Sequence, residues 1–119
     1  MTLPEALFDK HGYPSKCSLN VIVNWYPSQC PIGNILAFMK SLWNHDYGSF
    51  NLKGHLVLKL HLATGGWSGN ESIINAVDRN TYLHYGWQKS ERGGAHWYKW
   101  DTTIGLYRSK ARKKPAKPA

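Results

Sequence analysis

Two glycine-rich segments hold the residues whose type and spacing come closest to a chemical site. In Thr64-Gly65-Gly66-Trp67-Ser68-Gly69-Asn70-Glu71, three glycines precede an apolar run with helical spacing. Backbone amides at a helix N-terminus attract anions, and glycines let a phosphate or carboxylate approach closely. Ser68 and Asn70 would supply the side-chain contacts. The segment also has a purely structural reading, in which Ser68 and Glu71 form a capping box and Gly65-Gly66 makes the turn. Glu71 would itself oppose a bound anion, and the Lys-Ser/Thr step of a phosphate-binding P-loop is missing.

The second segment is Glu91-Arg92-Gly93-Gly94-Ala95-His96-Trp97-Tyr98. A guanidinium beside a glycine turn can clamp phosphate in a bidentate fork, and His96 could relay a proton. If both segments lie at one end of a sheet, Ser68, Asn70, Arg92 and His96 make one anion-binding set. Otherwise the second segment is a solvated hairpin.

A different chemistry is suggested by the aromatic strands. Trp87, Lys89, Trp97 and Lys99 follow the basic-plus-stacking pattern of single-stranded nucleic-acid binding. Arg108, Lys110, Arg112, Lys113, Lys114 and Lys117 would add sequence-independent phosphate contacts. These six account for most of the net charge of +8, so residues 1–107 are only mildly basic. His55, Lys59 and His61 alternate on one strand face and read most simply as its polar outer side.

Other chemistries find little support. Cys17 and Cys30 are too few for a disulfide framework or a cysteine-based zinc site, and both are expected to be reduced. His55 and His61 lack a third metal ligand, and the acids Asp78, Glu91 and Asp101 are dispersed. No cofactor, metal or catalytic group is expected. The absence of a long apolar run and of a secretory signal leads to the expectation of a cytoplasmic protein that makes no membrane contact.

These residues must be positioned by a small α+β domain, two or three helices on an antiparallel sheet over 1–107, followed by a disordered basic tail over 108–119. Thr2-Leu3-Pro4-Glu5 predicts a short first helix that ends at His11-Gly12. Ser18 to Trp25 alternates like a strand and is rich in β-branched residues, although Ser18 would also serve as a helix cap. A helix is predicted over about Ile32–Asn44. Phe50 to Leu62 shows the clearest period-two pattern in the chain. A helix over about Gly69–Arg79 and strands over Thr81–Lys89 and Ala95–Asp101, joined by the Ser90–Gly94 loop, complete the order.

Thr-Gly-Gly-Trp-Ser-Gly-Asn-Glu at 64–71, the helix with Ile73-Ile74, the aromatic strand through Trp87 and the Ser90–His96 segment together resemble a group of small uncharacterised phage and prophage proteins. The resemblance covers about Leu42 to Trp100. In that group Arg-Gly-Gly-His runs directly into aromatics, whereas here Ala95 stands between Gly94 and His96. The resemblance implies a phage-type accessory protein in a bacterial host. Such proteins bind host nucleic acid or host defence proteins. The readings carried forward are therefore a non-enzymatic binder of a polyanion, an inhibitor or adaptor of a host protein, and a binder of a phosphorylated small molecule between the glycine loops.

Overall fold

The computed structural model describes residues 3–107. Its order is α1 (Lys16–Asn24), α2 (Ile32–Leu42), β1 (Ser49–Lys53), β2 (Val57–Ala63), α3 (Ser68–Asp78), α4 (Thr81–His84), β3 (Trp87–Glu91) and β4 (Ala95–Asp101), closed by a 3-10 turn at Gly105–Tyr107. The fold is α+β, with helices on one antiparallel sheet of order β1-β2-β4-β3. The tail expected over 108–119 lies outside the described residues.

Four local expectations give way to other structure. Residues 18–24 are helical, because Ser15 accepts from the Ser18 amide at the N-terminus of α1. At its other end Asn80 Nδ2 donates to the carbonyls of Ile22, Val23 and Trp25. Capping at both ends, with Ile22 buried in the core, overrides the β-branched propensity of Val21-Ile22-Val23. The segment before α1 forms no helix from Leu3 onward. Asp9 Oδ1 accepts from the amides of His11 and Tyr13, and a bridge between Phe8 and Pro14 closes the turn.

The third is the long alternating run, which is two strands. Gly54 turns the chain at φ +100, where a side chain would collide with the Val57 carbonyl. β1 therefore folds back on β2, pairing Phe50 with Leu62 and Lys53 with Lys59. The turn keeps the odd-even parity, so both strands present their even residues to the same face. The strand expected from Thr81 begins only at Trp87. Asn80 Oδ1 accepts from the Leu83 amide and holds α4 in a single helical turn.

Those even positions, Phe50, Leu58, Leu60, Leu62, Tyr98 and Trp100, join Ile35, Leu36 and Met39 of α2 and Ile73, Ile74 and Val77 of α3 in one buried core. Two buried indole groups find acceptors, Trp100 Nε1 donating to the Leu83 carbonyl at 3.0 Å and Trp25 Nε1 to the Cys30 carbonyl at 3.1 Å, whereas buried Trp43 Nε1 has none. Cys17 and Cys30 are free thiols. Among the described residues no helix is long and apolar enough to cross a membrane.

Candidate functional site

With the helices on one side, the odd residues of the sheet are left facing outward, and the strand register sorts them into rows. Lys53, Lys59 and Lys99 stand directly opposite one another on β1, β2 and β4. The next row holds Asn51, His61, Trp97 and Lys89, and the third Ser49, Ala63, Ala95 and Glu91. The ladder slips between Trp87 and Lys89, leaving Gln88 as the extra residue of a bulge. Gln88 and the first two rows, Lys89 excepted, line a shallow concavity of about 570 Å³, with Lys53, Lys59, Lys99, His61 and Trp97 in its wall.

The charge arrangement of this face is unfavourable by itself. Neighbouring strands are about 4.8 Å apart, and like charges directly opposite each other destabilise a sheet. Among the described residues, ion pairs join only His84 to Asp78 and Lys89 to Glu91. Asp101 stands one position beyond Lys99 on the same face. Its carboxyl is held below the ordinary value chiefly by hydrogen bonds from the Thr103 hydroxyl and amide, with Lys99 a smaller influence. The three lysines thus project together with their nearest acid engaged elsewhere.

Beside them stands an aromatic wall. The His61 and Trp97 rings stack at 4.6 Å between centroids and 14° between planes, and Lys89 Nζ sits 4.5 Å from the Trp97 ring centroid. His61 Nε2 is buried and has no hydrogen-bond partner.

Of the stacking set expected from sequence, the fold brings Lys89, Trp97 and Lys99 together. Trp87 is elsewhere: it pairs with Tyr98 at the bulge, donates from Nε1 to Ser90 Oγ at 2.8 Å and stacks on His84. Arg108, Lys110, Arg112, Lys113, Lys114 and Lys117 lie outside the described residues. Asn51, Lys53 and Gln88 join the site unforeseen. Their signal was hidden because the Gly54 turn and the bulge decide which residues share the face.

The two glycine loops do meet. The Thr64 amide donates to the Gly94 carbonyl at 3.0 Å, and Gly94, at φ +89, has room only for hydrogen where a side chain would meet Thr64 Oγ1. Their polar residues nevertheless form no open clamp. Asn70 is fully buried; its Oδ1 accepts from the Asn44 amide, and its Nδ2 donates to the Asn44 and Thr64 carbonyls. Ser68 is not the cap of α3. Trp67 holds that position without a side-chain bond, and Ser68 Oγ donates to the Tyr13 hydroxyl. Glu71 Oε2 accepts from Thr64 Oγ1 at 3.4 Å, placing a carboxylate where an anion would sit.

His96 Nδ1 lies 2.8 Å from Ser90 Oγ. Burial holds its pKa below the ordinary value, against the opposing pull of Asp78 and Glu71. Arg92 is exposed at the hairpin tip and forms no ion pair with the described residues. Among the described residues, no group of three His, Cys, Asp or Glu side chains is placed to hold a metal. Comparison with protein-family models, curated proteins and solved structures finds no match to the chain.

Proposed function

We propose that the chain is a binding protein of the phage accessory type whose open sheet face takes single-stranded nucleic acid. The observation that carries this reading is the row Lys53-Lys59-Lys99, three cations set across adjacent strands without a paired acid, next to the His61-Trp97 wall. Phosphates along the row relieve the mutual repulsion of the lysines and release counterions. Bases reach the rings one row away, about 7 Å along the strands. The Lys89 ammonium leaves the Trp97 face at little cost, since an exposed cation–π contact contributes roughly 0.5–1 kcal/mol. A base then takes its place. Duplex bases are already stacked on one another, so the rings favour single strands.

The test is a combined Lys53→Gln, Lys59→Gln, Lys99→Gln variant, titrated with a labelled single-stranded oligonucleotide by fluorescence anisotropy at several salt concentrations. Three lost phosphate contacts reduce the slope of log affinity against log salt by about 2 for a single strand. The thermal transition should stay where it is or rise slightly. An unchanged slope and affinity would overturn the proposal.

A second reading, docking of a host protein, is favoured by a different surface. Tyr85 is 70% exposed, and Tyr82 and Trp87 also reach solvent around α4 and the start of β3. Exposed Tyr and Trp are common interface anchors. Capture of a partner that survives nuclease and is lost on Tyr85→Ala would favour that reading. A phosphorylated small molecule between the glycine loops is disfavoured by Glu71 and by the engagement of Asn70.

A further inference from the structure

The lysine row explains affinity for any strand, and the groove holds more than that function needs. Asn51 and Gln88 stand at its two sides, exposed, and neither carboxamide bonds to another described side chain or backbone group. Between them run the His61 and Trp97 rings. Each end of the aromatic wall is therefore paired with a free amide, His61 with Asn51 on β1 and Trp97 with Gln88 at the bulge. The bulge matters here, because regular pairing through β3 would place residue 88 with the helix-facing set.

We infer that the groove reads base identity at two positions and favours adenine, through Asn51 for a base on the outer face of His61 and through Gln88 for a base on Trp97. This rests on the nucleic-acid reading proposed above and adds to it the base class. A carboxamide offers one donor and one acceptor side by side. Adenine presents the complementary pair on both of its edges, its N6 amino group beside N7 on one and beside N1 on the other, so either edge facing the amide is matched. Guanine has two adjacent acceptors, O6 and N7, on its outer edge. A pyrimidine offers one such edge and less ring area for stacking.

The experiment measures anisotropy of labelled ten-nucleotide deoxyadenosine, deoxycytidine and thymidine oligomers, plus an adenosine oligomer with inosine replacing adenine, against the full chain and an Asn51→Ala, Gln88→Ala double variant. The expected result is about tenfold tighter binding of the adenine oligomer than of the others. In the double variant that preference shrinks to within about twofold, because adenine affinity falls more than thymidine affinity. Both side chains are exposed, so the variant should keep its melting temperature, and circular dichroism checks this. Equal affinity for all four oligomers, or an adenine preference that survives the double substitution, would overturn the base reading and leave the lysine-row proposal standing. Failure to bind any oligomer at low salt would overturn both.

Discussion

The glycine-loop end of the sheet and its open face are both polar, and they differ in what their side chains touch. At the loop end Asn70 spends its amide on the backbone of Asn44 and Thr64, Ser68 meets Tyr13, and His96 meets Ser90. On the open face Lys53, Lys59 and Lys99 face one another across the strands, and His61 Nε2 is buried without a partner. The loop end uses its polarity to hold the fold. The open face leaves its lysines without an acid partner among the described residues.

The largest expected effect tests the first half of that contrast. Asn70→Ala removes an acceptor and two donated bonds inside the protein and strands the Asn44 amide, while the Asn44 and Thr64 carbonyls keep the Gly48 and Trp67 amides. At roughly 1 kcal/mol per bond, with an added penalty for the unsatisfied amide, the loss is about 3 kcal/mol. Urea denaturation measures it. The fraction that remains folded should bind single strands normally. Intact stability together with lost binding would return the site to the glycine loops.

The next effect separates two tryptophans on neighbouring strands. Trp97→Ala removes a stacking platform and should weaken single-strand binding by about tenfold or more. Trp87→Ala should leave that affinity unchanged, because Trp87 stacks on His84 away from the groove. Equal losses from both would mean that the bound strand wraps the β3 edge, and the contrast between faces would fail.

How much of this the sequence discloses depends on the range of the interactions that decide it. Helices α2 and α3 and the β3–β4 hairpin are legible because their apolar spacing and turn glycines act locally. α1 is not legible as a helix, since its C-terminal carbonyls are held by Asn80, more than 50 residues further along the chain. Lys89, Trp97 and Lys99 are recognisable as a basic aromatic set. That Lys53 and Lys59 join them follows from a turn at Gly54 hidden inside an unbroken alternation. Asn70 and Ser68 show the converse: residue types suited to anion binding, already engaged by atoms that only the tertiary fold brings near.

A smaller effect depends on pH. His96 has its pKa lowered by burial, so below its ordinary value of 6.5 the unfolded chain takes up a proton more readily than the folded one. Stability should therefore decline as pH falls through that region and be unaffected by this group well above it. His96→Gln, which does not ionise and can still bond Ser90, should flatten that part of the profile in denaturation measured from pH 8 to 5. An undiminished decline would assign it to another group.

The smallest expected effect is at Arg92, and it is the sharpest test of the division between the two regions. As an anion clamp, Arg92 would need a ligand held by the neighbouring loop, but Glu71 stands beside Thr64 there and Asn70 is turned inward. As a contact for a strand on the open face it is badly placed. It follows Glu91, whose row lies two rows from the lysines, about 13 Å along the strands. Exposed and without an ion pair among the described residues, it contributes little to folding. Arg92→Ala should thus change stability by no more than about 0.5 kcal/mol and single-strand affinity by less than about twofold, the limit for one peripheral phosphate contact. A tenfold loss of affinity on Arg92→Ala, with Arg92→Lys no better than alanine, would require a bidentate anion contact at the hairpin tip. The functional boundary would then have to be redrawn to include the glycine loops.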